Sequence, residues 1–153
     1  MKAEIYIESS IKGTRRQDGV TGYVIEAQTS KGPATVTQFI QVENATKNLS
    51  DLLGLKNALS RIKTGSELVI CIDNTYVQSA IENGWLEWWK EDGWVTAKGK
   101  SVANKDVWAD ILSALGGRLP LFGDGETHKY KRWLESELER RVREIKRTTG
   151  TSL

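Results

Sequence analysis

The sequence predicts an α/β fold in which helices cover both faces of a mixed five-stranded sheet. Three observations support this class. Residues 3–42 alternate apolar and polar side chains in short stretches, helical spacing begins at Leu49, and a purely apolar run follows at residues 68–72. Early strands followed by alternating helices and strands are typical of a mixed sheet between two helical layers.

The first three strands are predicted at residues 3–10, 20–28 and 34–42. A polar, basic loop joins the first two, and a turn at Gly32-Pro33 joins the second and third. Short connections of this kind predict an antiparallel meander.

A helix follows, because the next apolar residues recur at helical spacing. They are Leu49, Leu52, Leu55, Ala58, Leu59 and Ile62. Thr46, Asn48 and Ser50 are candidate caps for its first turn.

The second half of the chain returns to strand–helix alternation. The run Leu68-Val69-Ile70-Cys71-Ile72 predicts a fully buried strand, and a short last strand is predicted at residues 118–122. Helices are predicted at about residues 75–90, at 104–115 before Gly116-Gly117, and from about residue 128 onward. We expect one domain over residues 1–147 and a flexible tail over residues 148–153.

The composition is that of an ordinary globular protein, with 39% hydrophobic and 27% charged residues in a chain of 153. No apolar run approaches the roughly 20 residues that span a bilayer, so no membrane contact is expected. The single cysteine, Cys71, fits a reducing cytoplasm, and the single histidine excludes a multi-histidine metal site. We therefore expect a cytoplasmic protein, and a monomer.

Asp73 directly follows the buried strand, and a helical pattern starts immediately after it. In open sheets flanked by helices, functional groups collect at the carboxyl ends of the strands. A carboxylate in this position is either a functional group at that edge or the N-cap of the following helix.

Three sequence blocks decide how Asp73 is interpreted. They are Asp73-Asn74-Thr75-Tyr76-Val77, the tryptophan-rich Trp88-Trp89-Lys90-Glu91-Asp92-Gly93-Trp94, and Val102-Ala103-Asn104-Lys105-Asp106-Val107-Trp108. In this order they resemble the ribonuclease HI family, and Glu4-Ile5-Tyr6-Ile7-Glu8-Ser9-Ser10 is similar to that family's first strand. The resemblance covers residues 3–116 well and the last third weakly. It implies the ribonuclease H fold and hydrolysis of the RNA strand of RNA–DNA hybrids.

The resemblance also implies a metal site. Glu8, Asp51 and Asp73 match the family's carboxylates, which hold two Mg²⁺ or Mn²⁺ ions for phosphodiester hydrolysis. Glu8 stands where the family has Asp, and Asp51 where it has Glu, so these two acids are interchanged. Either the site has shifted as a unit to accommodate the swap, or it has lost activity.

The last third supplies further candidates for catalysis. Glu135 is the first choice for the family's fourth acid and metal ligand; a different alignment, through Glu137-Leu138, puts Ser136 there instead. His128, in the loop that precedes the last helix, matches the family's mobile histidine.

Substrate contacts are implied for a second group of residues. Asn48 and the backbone around Ser9 and Ser10 are candidates to contact the RNA strand, although Ser9 replaces the family's usual glycine. Lys98, Lys100 and Lys105 are expected to bind phosphates in the protrusion after the tryptophan-rich helix. Two more basic clusters (Lys12, Arg15 and Arg16; Lys129, Lys131 and Arg132) flank the acids, and most tryptophans are expected to pack on one another.

Two other functions fit the same residues. The interchanged acids, the missing glycine and the uncertain fourth acid favour a catalytically impaired module of this fold that binds nucleic acid or a protein partner. A nuclease of the same fold that cleaves DNA is the weaker alternative.

Overall fold

The five strands form one mixed sheet in the order β3-β2-β1-β4-β5. The structure is a computed structural model that describes residues 2–149. Its strands are β1 (Lys2–Ser9), β2 (Gln17–Thr29), β3 (Gly32–Ala45), β4 (Glu67–Ile72) and β5 (Leu121–Phe122). β1, β2 and β3 pair antiparallel as the predicted meander, whereas β4 pairs parallel with both β1 and β5.

Five helices accompany the sheet. They are α1 (Lys47–Ser60), α2 (Thr75–Glu82), α3 (Trp85–Glu91), α4 (Lys105–Leu115) and α5 (Lys131–Thr149). Within residues 2–149, no helix combines the length and the apolar character needed to cross a membrane.

The prediction of one continuous helix over residues 75–90 was wrong. Gly84 lies between α2 and α3 with a φ of 71°, in the left-handed region that glycine adopts at little cost. The chain turns there, and α2 and α3 are separate helices. Residues 148 and 149 of the predicted tail continue α5, while residues 150–153 lie outside the described part of the chain.

The two faces of the sheet have separate cores. Ile5 and Ile7 point to the face covered by α1, where α2, α3 and α4 also pack. Tyr6 points to the opposite face and packs with Leu134 of α5. The alternation along β1 therefore places helices on both faces, which confirms the predicted fold class.

A glycine lets α1 lie unusually close to the sheet. A Cβ atom on Gly54 would lie 2.8 Å from Thr21 Oγ1 and 3.3 Å from Ile7 Cγ2. Only a residue without a side chain permits this approach. Asp51 precedes Gly54 by almost one turn, so the close packing also fixes Asp51 beside the sheet.

Three of the six tryptophans pack on one another. The ring of Trp89 lies 6.1 Å from that of Trp85 and 5.8 Å from that of Trp108, between centroids. Trp108 is fully buried, whereas Trp88 is 65% exposed. This cluster joins α3 and α4 to the larger core.

Replacement of Trp108 with alanine tests the importance of this cluster. We expect Trp108→Ala to lower the free energy of unfolding by about 3–5 kcal/mol, because it removes a fully buried ring and leaves a cavity. Trp88→Ala is the matched control and should change it by less than about 0.5 kcal/mol. Urea unfolding followed by circular dichroism measures both. Similar losses for the two variants would contradict the packing described here.

Candidate active site

The parallel pairing of β1 with β4 brings Glu8 and Asp73 to the same edge of the sheet. Ile7 pairs with Ile72, so Glu8 and Asp73 are the next residues along the two chains. Asp51 comes from the second turn of α1, which Thr46 caps by accepting a hydrogen bond from the Leu49 N–H. These three acids form what we call the carboxylate cluster.

Asp73 does not cap α2. That role belongs to Asn74, whose Oδ1 accepts a hydrogen bond of 3.1 Å from the Val77 N–H. The Asp73 side chain is 48% exposed and is the most accessible of the three acids. Because its neighbour supplies the cap, Asp73 is available for another role.

Asp51 is buried and held by two donors. Lys47 Nζ lies 2.6 Å from its Oδ2, and Asn74 Nδ2 donates to the same oxygen over 2.9 Å. Burial raises the pKa of Asp51; the ion pair with Lys47 and the bond from Asn74 act in the opposite direction, and the charge of Glu8 adds to the rise. Lys47 Nζ also donates to the backbone carbonyl of Asp73 over 2.6 Å, which ties α1 to the end of β4.

Glu8 is buried and has a separate partner for each oxygen. Its Oε2 lies 2.8 Å from His128 Nε2, and its Oε1 accepts a hydrogen bond of 2.9 Å from Lys131 Nζ. The Tyr130 N–H donates to His128 Nδ1 over 3.2 Å, so Nδ1 is an acceptor and the proton of a neutral ring resides on Nε2. His128 Nε2–H therefore donates to Glu8.

His128 is only 8% exposed, and its ring lies 5.1 Å from that of Tyr6. The preceding loop explains its position. A Cβ atom on Gly125 would lie 2.2 Å from the Ile72 carbonyl oxygen, so this glycine allows the loop to rest directly on the end of β4. This contact of the loop with β4 places His128 next to the carboxylate cluster.

Lys131 lies among three carboxylates. Besides its bond to Glu8, its Nζ is 3.7 Å from Asp73 Oδ2 and 3.9 Å from Glu135 Oε1. Burial acts to lower the pKa of Lys131, but the bond to Glu8 and the neighbouring negative charges outweigh it and raise the pKa above its ordinary value. Lys131 is therefore a permanent cation at neutral pH.

Because Lys131 lies next to Glu8, α5 contributes a cation to the site. Glu135, the predicted fourth acid, is half exposed and reaches the cluster through Lys131, and Ser136 is exposed. The residue of α5 that contacts Glu8 is thus a lysine. In this structure Lys129 pairs with Glu26 and Lys131 with Glu8.

The predicted substrate-binding residues lie around the cluster. Asn48 Oδ1 accepts a hydrogen bond of 2.9 Å from Asn74 Nδ2, and Ser10 Oγ accepts one of 2.9 Å from the Val20 N–H. Ser9 is buried, and its Oγ lies 2.7 Å from Ser50 Oγ, so it links β1 to α1. The three predicted phosphate-binding lysines of the protrusion are all exposed: Lys98, Lys100 and Lys105.

The cluster suits a hard divalent cation in its chemistry. Carboxylate oxygens from β1, the end of β4 and α5 face the ammonium group of Lys131, and such oxygens are the ligands that Mg²⁺ and Mn²⁺ prefer. As the side chains lie, however, residues 2–149 contain no group of three or more His, Cys, Asp or Glu residues arranged to hold a metal. The donors fit a metal ion, and the lysines compete for them.

Sequence reasoning did not predict the contacts with the acids that three residues make: Lys47, Asn74 and Lys131. Lys47 precedes Asp51 by four residues on a predicted helix, a spacing that favours contact. Asn74 is a good N-cap residue directly after Asp73. Lys131 gave no such signal, since its contact with Glu8 depends on how α5 docks.

Comparisons with known proteins agree with this fold. A sequence model of the RNase H family matches residues 1–118. A ribonuclease H of Thermus thermophilus is 37% identical over 70 residues, which are 46% of this chain and 42% of that protein. A ribonuclease HI of Neisseria meningitidis is 38% identical over 73 residues, 48% of this chain and 49% of its own length. The chain thus spans about half the length of these curated relatives.

Solved structures share the fold at low sequence identity. LC9-RNase H1, described as a type 1 RNase H with the type 2 active-site motif, has a TM-score of 0.71 at 18% identity, with 90% of this chain and 70% of that one covered. The RNase H domain of prototype foamy virus has a TM-score of 0.66 at 18% identity, with 91% and 90% covered. Because the family model matches most of the chain, this protein belongs to the RNase H family.

Proposed function

We propose that this protein is an RNase H-type endonuclease that hydrolyses the RNA strand of RNA–DNA hybrids. The observation that carries the proposal is the convergence of Glu8, Asp51 and Asp73 at one edge of the sheet. A foamy viral protease–reverse transcriptase with a region of the same fold has been solved in complex with an RNA/DNA hybrid, at a TM-score of 0.66 and 17% identity, over 89% of this chain and 19% of that one. This supports the hybrid as the substrate.

Magnesium or manganese is the proposed cofactor, since the RNase H family is generally dependent on divalent metals. Glu8, Asp51 and Asp73 would hold it, with Glu135 as a further carboxylate nearby. When bound, divalent ions neutralise the scissile phosphate and lower the pKa of an attacking water. The sequence predicts two ions.

The remaining groups of the cluster hold these acids in place. His128 Nε2–H fixes one oxygen of Glu8, and Lys131 Nζ donates to the other. The Nδ2 amide group of Asn74 donates to both Asp51 and Asn48, so it links an acid of the cluster to a residue that is a candidate to bind the substrate. The predicted catalytic histidine, His128, thus lies in direct contact with Glu8.

Basic and polar side chains beside the cluster suit the phosphate backbone. A cavity of about 370 Å³ lies where the loop after β1 meets the first residues of α1 and α4. Arg16, Lys47, Asn48 and Asn104 are among its lining residues. Lys98 and Lys100, on the turn of the protrusion, would add sequence-independent contacts. Monomeric state and cytoplasmic location remain predictions.

A second function has a specific observation in its favour. Lys47 and Lys131 pair with Asp51 and Glu8, which would allow hybrid binding without metal and without cleavage. Labelled RNA–DNA hybrid, double-stranded DNA and double-stranded RNA, incubated in Mg²⁺ and in Mn²⁺, separate the candidates. Cleavage of hybrid alone supports the nuclease; hybrid binding without any cleavage supports the binding module; cleavage of double-stranded DNA supports the DNA nuclease.

Replacement of Asp73 with asparagine tests the catalytic assignment. We expect Asp73→Asn to abolish hydrolysis while hybrid affinity stays equal or rises, because the change removes a ligand charge and lessens repulsion of phosphate. Gel assays of cleavage and fluorescence anisotropy measure the two effects. Asp110→Asn, the same change at an acid of α4 that pairs with Lys56, is the control and should cleave normally. If Asp73→Asn cleaves at the parental rate, Asp73 is not catalytic.

The protrusion can be tested through the salt dependence of binding. Lys98→Ala with Lys100→Ala should weaken hybrid binding, and the log–log salt slope should fall by about 0.9 for each phosphate that the protein no longer neutralises. Cleavage at saturating hybrid should change little. Lys31→Ala with Lys63→Ala is the control, because these exposed lysines lie at the opposite end of the sheet from Glu8 and Asp73. An unchanged slope for the Lys98/Lys100 variant would show that these lysines face only solvent.

A further inference from the structure

We propose that Glu26 of β2 is a positioning residue for His128, because it holds the two residues after the histidine on the sheet and so keeps the imidazole against Glu8. The inference rests on the proposed function, since His128 is the predicted catalytic histidine of that site. It extends the site to β2, a strand that supplies none of the acids of the carboxylate cluster.

Glu26 binds the segment before α5 with both oxygens of its carboxylate. Its Oε1 accepts a hydrogen bond of 2.7 Å from the Tyr130 hydroxyl group, and Lys129 Nζ donates to its Oε2. Glu26 itself is only 8% exposed. The bonds from Lys129 and Tyr130 outweigh the effect of burial and hold the pKa of Glu26 below its ordinary value, so both donors bind an anion at neutral pH.

The sheet favours a cation at this place. Glu26 lies directly opposite Glu4 of β1 in the antiparallel register, and like charges in this arrangement destabilise a sheet. Lys129 Nζ pairs with Glu26 and lies 5.9 Å from the centre of the Tyr6 ring and 5.5 Å from that of Tyr130. An ammonium group with a buried anion and two aromatic rings around it is attracted by all three, which keeps residue 129 on the sheet.

His128 lies between two attachments of the chain to the sheet. Before the histidine, the Gly123 N–H donates to the Ile70 carbonyl of β4 over 2.9 Å. After it, Glu26 binds the Tyr130 hydroxyl group, and the Tyr130 N–H donates to His128 Nδ1 over 3.2 Å. Tyr130 thus connects Glu26 with the imidazole, because its two ends bind one each.

The two ring nitrogens of His128 have different partners. Nδ1 accepts from the Tyr130 N–H, and Nε2 lies 2.8 Å from Glu8 Oε2. If Tyr130 leaves the sheet, the first contact is lost and the second no longer has a fixed ring. Loss of the Glu26 contacts should therefore cause a local opening around the histidine while the rest of the fold stays intact.

The experiment uses the fact that His128 is the only histidine of the chain. Diethyl pyrocarbonate modifies accessible imidazoles, and mass spectrometry of the peptide that contains His128 gives the rate of modification at one fixed pH. We expect slow modification of the parent and a rate about tenfold higher for Glu26→Ala, since the loss of one hydrogen bond already shifts an opening equilibrium by a factor of about two to ten. Glu67→Ala, at an exposed acid of β4, is the matched control and should react like the parent.

Two further variants separate positioning from a general loss of stability. Tyr130→Phe removes only the hydroxyl donor, so it should raise the rate in the parent but add nothing in Glu26→Ala, where the same bond is already lost. Trp108→Ala weakens the core on the other face of the sheet and should leave the rate unchanged. Circular dichroism melts check that each variant is folded; should Glu26→Ala fail this check, Lys129→Met with Tyr130→Phe removes the same two bonds from the loop side.

Hybrid cleavage is measured separately to obtain kcat and KM. We expect Glu26→Ala to lower kcat several-fold at an unchanged KM, because the change displaces the histidine and leaves the predicted hybrid-binding residues in place. Equal modification rates for the parent and Glu26→Ala, or an accessible histidine with an unchanged kcat, would overturn the inference. A parent that cleaves no hybrid rejects only the proposed function, since the modification rates still decide whether Glu26 holds His128.

Discussion

The parallel pairing of β1 with β4 is the constraint on which the site depends. Its register, with Ile7 beside Ile72, makes Glu8 and Asp73 neighbours at one edge of the sheet. Adjacent strands lie only about 4.8 Å apart, and like charges side by side are destabilising. A cation is therefore needed between these acids, whether it is a metal ion or a side chain. Two lysines supply such cations: Lys131 of α5 pairs with Glu8, and Lys47 of α1 pairs with Asp51.

Close backbone contacts determine which groups reach this edge. Gly54 lets α1 lie against the sheet and so positions Asp51, and Gly125 lets the loop before α5 rest on the end of β4 and so positions His128. Both glycines act by the absence of a side chain, at positions where a Cβ atom would clash with Thr21 or with the Ile72 carbonyl. The positions of Asp51 and His128 thus depend on two glycines that take no part in the chemistry themselves.

Much of the fold follows from the sequence because its periodicity is local. The meander, α1, the buried β4 and α4 are each predicted by spacing within a short window, and the resemblance to ribonuclease HI supplies the acids. The break at Gly84 was missed because the tryptophan-rich stretch has helical character on both sides of it. The ammonium group beside Glu8 was missed for a different reason: Lys131 follows Glu8 by 123 residues, and only the docking of α5 decides that they meet.

The interchange of the two acids, with Glu at position 8 and Asp at position 51, can be related to the partners that each side chain contacts. Glu8 has the longer side chain, and its two oxygens reach two partners at the start of α5, His128 and Lys131. Asp51 has the shorter one and stays close to α1, where Lys47 and Asn74 bind the same oxygen. Each acid therefore has the length that its own partners require. The swap and the two lysines are thus features of one arrangement, in which fixed positive charge from the chain balances acids that the sheet forces together.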